Sequence, residues 1–189
     1  MQEATTYTFG DFISDIEMIT KVESREADII QRISRKIQLL ISSKDDFLPP
    51  QNKVHKENHY ARHLLYVDRY KKFVILNNVW GPGQGTPVHD HGTWGVMGVY
   101  SNEVKVTNYL RLDDGSKQGC AELREASGVI STVGSVTYVL PPNEEIHKVE
   151  NTSTKPTITL HVYGKDIVEC NWFDLKEKTY KKYRLDYPE

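Results

Sequence analysis

The stretch WGPGQGTPVHDHGTW, residues 80–94, carries two histidines separated by a single residue, His89 and His91. The glycines and prolines that precede them, at positions 81, 82, 83, 85 and 87, are typical of a turn that leads into a strand. Side chains at i and i+2 of a strand point to the same face. The spacing therefore predicts two adjacent imidazoles. Such a pair is either half of a metal site or an exposed surface pair, and the pair alone is compatible with both.

The composition is that of a globular chain with a hydrophobic core: 189 residues, 38% hydrophobic, 26% charged and a formal net charge of −2. This charge gives no basic field for nucleic acid, and no apolar run approaches the ~18 residues that cross a bilayer. The first residues lack a secretion-signal pattern, and two cysteines, Cys120 and Cys170, suit a reducing compartment. We expect a cytoplasmic protein without nucleic-acid or membrane partners, and a monomer or weak homo-oligomer.

Two apolar stripes at helical spacing occupy the first third of the chain. The first stripe comprises Phe9, Phe12, Ile13, Ile16 and Ile19. The second comprises Ile29, Ile30, Ile33, Ile37, Leu40 and Ile41. Residues 45–58 contain two adjacent prolines and several charges, which is typical of a connection. The pattern predicts a helical part over about residues 1–58.

From about residue 60 the chain consists of short runs rich in Val, Ile, Thr and Tyr. These runs are HLLYV (63–67), KFVILNNVW (72–80), WGVMGVY (94–100), VKVTNYLRL (104–112), VTYVL (136–140), IHKVE (146–150) and TITLHVYG (157–164). Turn signals separate them, among them Asp113-Asp114-Gly115, Gly128, Gly134 and Pro141-Pro142-Asn143. The pattern predicts an antiparallel sandwich or barrel over about residues 60–175, within a single domain over residues 1–189.

A third histidine, His147, follows the proline turn in PPNEEIHKVEN, residues 141–151. An HxH pair followed by a histidine on a later strand resembles the metal-binding pattern of the cupin family. The resemblance implies a mainly β, jelly-roll-like cupin double-stranded antiparallel β-barrel with an N-terminal helical region. It also implies that His89, His91 and His147 bind a metal. Glu144 stands where cupins usually carry glycine.

The chain departs from cupins at the position of a fourth ligand. Cupins usually carry a glutamate four or five residues after HxH, and this chain has Gly95 and Val96 there. Three neutral imidazoles do not offset the charge of a divalent ion, and they leave about three positions of its octahedral coordination shell open. Such a site would attract an anionic ligand, and a thiolate is well suited to it.

Three segments together resemble the thiol dioxygenases, in particular bacterial-type cysteine dioxygenase. They are WGPGQGTPVHDHGTWG (80–95), HKVENTS (147–153) and TLHVYGKDIVEC (159–170). The resemblance covers about residues 60–170. It implies that non-haem Fe²⁺ is held by the three histidines and that L-cysteine is oxidised by O₂ to cysteine sulfinic acid. The small thiol and O₂ are then the partners.

Thr159, His161 and Tyr163 share one face of a strand, where an imidazole can orient a phenol. The alternative is a barrel strand with polar inward positions. The resemblance implies that Tyr163 is the catalytic tyrosine beside the oxygen site, with His161 and Thr159 as its hydrogen-bonded relay. Gly95 occupies the place where animal enzymes carry a cysteine crosslinked to this tyrosine, so Tyr163 is expected to be a free phenol.

The resemblance implies that Arg62 binds the substrate carboxylate, with Tyr60 nearby. Family members with arginine here are associated with cysteine, and members with glutamine are associated with 3-mercaptopropionate. The glutamine members carry another arginine after the HxYG motif, and GKDIVECNWFDLKEK (164–178) contains none. Without the resemblance, Arg62 would be an ordinary surface or core-edge arginine. Cys170 falls where animal enzymes carry a cysteine near the pocket mouth.

Three other functions remain open from the sequence. The same chemistry could act on another small thiol carboxylate, such as 3-mercaptopropionate or mercaptosuccinate. A non-catalytic cupin could bind a metal or a small acid as a sensor. A zinc or nickel cupin isomerase could use the same imidazoles, because imidazole ligands alone do not select iron.

Overall fold

The computed structural model describes residues 6–43 and 45–185. Two helices, α1 (Phe9–Val22) and α2 (Glu26–Ser42), and a short 3₁₀ helix (Pro50–Lys53) precede the strands. The strands are β1 (Ala61–Val67), β2 (Val74–Trp80), β3 (Val88–His89), β4 (Gly95–Ser101), β5 (Glu103–Arg111), β6 (Leu123–Thr132), β7 (Val136–Val139), β8 (His147–Glu150), β9 (Thr157–Tyr163), β10 (Glu169–Asp174) and β11 (Thr179–Arg184). Within these residues, no helix is long and apolar enough to cross a membrane.

The strands form two antiparallel sheets. One has the order β1-β2-β9-β4-β7, and the other has the order β11-β10-β3-β8-β5-β6. Strands from both sheets line one central cavity, so the sheets face each other as the two layers of a barrel. The predicted fold, a mainly β cupin double-stranded antiparallel barrel with helices at the N-terminal side, is confirmed.

The two helices cover the outer face of the five-stranded sheet. Helix α1 begins at Thr8, whose hydroxyl oxygen accepts from the Asp11 N–H while the Asp11 carboxylate accepts from the Thr8 N–H. Both predicted helical stripes are packed into one hydrophobic cluster with outward-facing side chains of the sheet, such as Ile75 and Leu160. At Gly98 an added Cβ would lie 2.2 Å from Ile37 Cγ2. The absence of a side chain there allows α2 to lie directly on β4.

The central strands β2 and β9 are buried at every position. The helices cover one face, and the six-stranded sheet covers the other, so strands that would alternate in an open sheet are enclosed on both sides. Successive residues of β9 therefore face the helices and the barrel interior in turn, and Leu160 and Val162 face the helices. The interior positions hold Thr159, His161 and Tyr163, and this polar row needs hydrogen-bond partners inside the barrel.

The structure differs from the sequence-based prediction at three places. Strand β6 was not predicted, and Gly128 lies within it rather than in a turn. Strand β3 ends at His89, so His91 lies in the following turn instead of on the same strand. Strands β10 and β11 extend the sheet to Arg184, beyond the expected end near residue 175.

Candidate metal centre and adjoining cavity

The three histidines of the two motifs meet at one point. Antiparallel pairing of β3 with β8 places His89 directly opposite His147, and His91 reaches the same point from the turn after β3. One ring nitrogen from each residue lies within 4.8 Å of the others. The arrangement thus brings the nitrogen donors of two distant segments together in a group that could hold a metal ion.

Backbone carbonyl groups orient two of the rings. His89 Nδ1 is 3.0 Å from the Pro87 oxygen, and His91 Nδ1 is 3.0 Å from the Glu145 oxygen. A carbonyl oxygen can only accept a hydrogen bond, so Nδ1 of each ring carries the proton and Nε2 has a free lone pair. This is the tautomer in which a histidine binds a metal through Nε2 while its second nitrogen is fixed by an outer partner.

Burial also sets the protonation state of the three rings. It lowers the pKa of His89, and it lowers the pKa values of His91 and His147 well below the usual value, with repulsion between the neighbouring rings adding to the effect. At neutral pH the rings are therefore uncharged, as metal ligation requires. Three neutral nitrogen donors this close together fit a divalent transition metal.

A continuous hydrogen-bonded chain runs along β9 beside these histidines. The Trp80 indole N–H donates to Thr159 Oγ1 over 2.8 Å, and Thr159 Oγ1 lies 2.7 Å from His161 Nε2. His161 Nδ1 lies 3.0 Å from the Tyr163 hydroxyl. Because the indole N–H can only donate, the Thr159 hydroxyl accepts from it and is free to donate to His161 Nε2. The Nδ1–H of His161 then donates to Tyr163.

This direction of hydrogen bonding makes the Tyr163 hydroxyl oxygen an acceptor toward His161, so its O–H acts as a donor in a different direction. Burial and the positive charge of Arg62 lower the pKa of His161 to about 3. His161 therefore remains neutral at physiological pH and keeps its donor role toward Tyr163. The side-chain amide nitrogen of Asn78 lies 3.3 Å from His161 Nε2, which adds a second donor on the same side.

Arg62 and Tyr60 lie on the same wall of the barrel. Arg62 is 8% exposed, and its Cα pairs with Asn78 of β2, whose Cα in turn pairs with Thr159 of β9. Arg62 Nη2 is 3.9 Å from Asp166 Oδ1. The Tyr60 ring stacks on Trp80 with a centroid separation of 4.3 Å. A guanidinium group is thus held inside the barrel, where a buried arginine ordinarily requires an anionic partner.

These groups surround one small cavity of about 40 Å³, which is partly open to solvent. Seven of the eight predicted site residues line it, and the eighth, Thr159, lies fully buried behind His161. Apolar side chains complete the wall, including Leu76, Ile167 and Leu185. Three histidines that could hold a metal ion, a guanidinium and a phenol therefore line the same pocket.

Position 95 places the backbone of β4 against the phenol. A Cβ at Gly95 would lie 2.5 Å from two ring carbons of Tyr163. Both cysteines are free thiols, and burial raises the pKa of Cys170 to about 11. Because position 95 is glycine, β4 brings no thiol to the ring edge of Tyr163, and the absence of a crosslink at this tyrosine stays a prediction.

Sequence reasoning missed several residues that hold the site in place. Trp80 and Asn78 are two apart on β2, so their shared face could have been read from the same alternation that grouped the β9 residues. Glu145 and Asp90 gave no such signal. Asp90 accepts from the Asn171 main-chain and side-chain N–H groups at 2.8 and 2.6 Å, which ties the loop of the HxH pair to β10.

The lowered pKa of His161 predicts acid sensitivity of the metal-free protein. Below the unfolded pKa of about 6.5 the unfolded chain takes up a proton, whereas folded His161 does so only near pH 3. The contribution of His161 to the free energy of unfolding is therefore fully present above about pH 6.5 and is lost as the pH falls toward 3. At pH 5 the loss from this residue is about 2 kcal/mol. Urea unfolding at pH 7 and pH 5 measures the effect.

His161→Gln should reduce that loss, and His59→Gln, which removes an exposed histidine, is the matched control. An equal loss of stability in the wild type and in His161→Gln would contradict the prediction.

The chain is similar to known cysteine dioxygenases over most of its length. A profile of the family described as cysteine dioxygenase type I matches residues 3–176. Cysteine dioxygenase type 1 of Danio rerio is 24% identical over 177 residues, which cover 88% of this chain and 79% of that protein. Cysteine dioxygenase type 1 of Homo sapiens is 30% identical over 120 residues, which cover 61% of this chain and 56% of that protein.

Among solved structures, a Klebsiella pneumoniae protein described as having a double-stranded beta-helix domain has a TM-score of 0.46 and 17% identity, covering 64% of this chain and 90% of that chain. The family profile extends over most of the chain, from residue 3 to residue 176. The protein therefore belongs to the cysteine dioxygenase type I family.

Proposed function

We propose that the protein is a non-haem iron thiol dioxygenase that oxidises L-cysteine with O₂ to cysteine sulfinic acid. Family membership supports the reaction class. The observation that carries the proposal is that three neutral histidines, Arg62 and Tyr163 line the same cavity. One small molecule could therefore contact a bound metal ion, Arg62 and Tyr163 at the same time.

His89, His91 and His147 would hold Fe²⁺ through nitrogen donors that carry no charge. The bound ion would supply activation of dioxygen and would favour the thiolate over the thiol form of the substrate. The histidines leave the charge of the ion uncompensated, so the site attracts an anionic sulfur. Their orientation is set before the metal binds, since carbonyl oxygens fix the rings of His89 and His91.

Arg62 would bind the carboxylate of the substrate. Its planar guanidinium can donate two parallel hydrogen bonds to a carboxylate, and its burial strengthens that attraction relative to a surface arginine. Holding the substrate at its carboxylate would fix the sulfur at the histidine group. Tyr60, stacked on Trp80, forms the adjacent wall of the cavity.

Tyr163 would act as a hydrogen-bond donor to the reacting oxygen atoms. Its oxygen accepts from His161, and its ring lines the cavity, so its O–H would serve as the donor to the reacting oxygen atoms. His161 has a pKa of about 3, so it orients the phenol and does not remove its proton near neutral pH. The hydrogen bond from Trp80 fixes the Thr159 end of the chain.

The atoms and electrons of the reaction balance without a further reductant. Both atoms of O₂ end on sulfur as the two sulfinate oxygens, and the sulfur provides the electrons that reduce the dioxygen. The thiol proton is retained by the sulfinic acid or lost to solvent.

Oxygen uptake tests this proposal directly. Iron-loaded protein supplied with L-cysteine should consume O₂ in a one-to-one ratio with cysteine sulfinic acid formed. The panel should also include 3-mercaptopropionate and mercaptosuccinate, with iron quantified in the same sample. Uptake with 3-mercaptopropionate or mercaptosuccinate alone would assign the same chemistry to another thiol carboxylate. Iron binding without uptake on any thiol would indicate a non-catalytic cupin.

Replacing Arg62 should weaken binding of the substrate carboxylate. For Arg62→Ala we expect the KM for L-cysteine to rise ~10–100-fold, which corresponds to the ~1.5–3 kcal/mol of a hydrogen bond to a charged group. Steady-state oxygen uptake measures the change. Arg69→Ala, which removes an exposed arginine of the β1–β2 turn, is the matched control.

Cysteamine separates a carboxylate contact from a general defect, because it has the thiol and the amine of cysteine without the carboxylate. The Arg62→Ala penalty should disappear with this compound. An equal penalty for cysteine and cysteamine would contradict the assigned role of Arg62.

A further inference from the structure

Glu145 contacts the second histidine of the HxH pair at both its main chain and its ring. Glu145 lies two residues before His147, in the turn that leads into β8. Its carboxylate oxygen Oε2 accepts from the main-chain N–H groups of His91 and Gly92, at 3.2 and 2.7 Å. Its main-chain oxygen accepts from His91 Nδ1 at 3.0 Å. One residue therefore determines where His91 lies and how its ring is turned.

The backbone of the HxH turn is shaped to receive this carboxylate. Gly92 has a φ of +59°, in the left-handed region that favours glycine. Successive N–H groups in a turn of this kind converge and form a small anion-binding concavity. In this chain the anion is the side chain of Glu145, which joins the loop of the first motif to the turn of the second.

Glu145 also places negative charge beside a donor set that has none. The metal-binding group contains three imidazoles and no carboxylate, and the guanidinium of Arg62 lines the same cavity. Asp90, the residue between the two histidines, is engaged with Asn171 on the other side of the loop. Burial raises the pKa of Glu145, and the hydrogen bonds from the Gly92 and His91 main-chain N–H groups oppose that rise.

We propose that Glu145 is a positioning residue of the metal centre, which fixes His91 for coordination and supplies from outside the ligand set the negative charge that three neutral imidazoles lack. The inference rests on the proposed metal site and is independent of which thiol is oxidised. In this inference, a carboxylate in the turn before β8 offsets the charge of the metal ion without binding to it directly.

Two substitutions separate the contributions of geometry and charge. Glu145→Gln keeps an acceptor oxygen for the two N–H groups and removes the charge, whereas Glu145→Ala removes both. Glu144→Ala, which removes the exposed neighbouring carboxylate of the same turn, is the matched control. The measurement is the dissociation constant of Co²⁺ for each metal-depleted protein, together with the visible absorption of bound Co²⁺ and the thermal midpoint of the metal-free form.

Glu145→Ala should weaken Co²⁺ binding ~10–100-fold, the usual effect of losing an outer partner of a metal ligand. It should also change the absorption of bound Co²⁺, which reports ligand geometry. Glu145→Gln should bind with intermediate affinity and the wild-type absorption, and Glu144→Ala should match the wild type. If Glu145→Ala does not fold, the isosteric Glu145→Gln still tests the charge.

Wild-type affinity in Glu145→Ala would overturn the positioning role, and wild-type affinity in Glu145→Gln would overturn the contribution of charge. Equal losses in Glu144→Ala and Glu145→Ala would likewise overturn the inference. Co²⁺ binding that depends on Glu145 in a protein without oxygen uptake would retain this inference and reject the dioxygenase. Oxygen uptake with unchanged Co²⁺ affinity in both Glu145 variants would support the dioxygenase and reject this inference.

Discussion

The pairing of β3 with β8 is the contact on which the rest of the site depends. It joins the first histidine motif to the second across more than fifty residues of chain by setting His89 opposite His147. Because the pairing occurs inside a two-sheet barrel, the imidazoles are brought together in an environment that disfavours their charged forms. A fold that only had to pack apolar side chains would gain nothing from three neutral histidines within 4.8 Å, so their arrangement favours a ligand-binding function.

The second half of the site depends on the enclosure of β2 and β9 between the helices and the opposite sheet. Strands buried on both faces are usually apolar throughout, yet the inner face of β9 carries Thr159, His161 and Tyr163. The cost of burying these polar groups is offset because each has a partner, from the Trp80 indole at one end to the Tyr163 hydroxyl at the other. The helical region thus contributes to the chemistry indirectly, since it closes the outer face of the strands that carry the polar chain.

Helical stripes, strand alternation and the histidine motifs are local patterns, and they predicted the helices, an antiparallel sandwich or barrel, and the histidine group. The cupin barrel and the placing of Arg62 and Tyr60 at the site came from the resemblance to the cupins and the thiol dioxygenases. Prediction from the sequence failed where the determinant is not local. Strand β6 is an edge strand exposed at most positions, so it has no apolar alternation, and Gly128 resembled a turn. His91 was placed on a strand because the turn that actually holds it is defined by Glu145, more than fifty residues away. The spacing of Asn78 and Trp80 on β2 predicts that they share a face, but their contacts with His161 and Thr159 depend on the pairing of β2 with β9, which spacing alone does not give.

We propose that His89, His91 and His147 form one metal site beside an arginine that binds the substrate carboxylate. The most direct test is the metal content of protein loaded anaerobically with Fe²⁺ and then dialysed, compared with that of His147→Ala treated in the same way. The account predicts one iron per chain in the wild type and almost none in the variant, since two imidazoles cannot hold the ion against dialysis. Wild-type protein that retains no iron, or a variant that retains as much as the wild type, would contradict it.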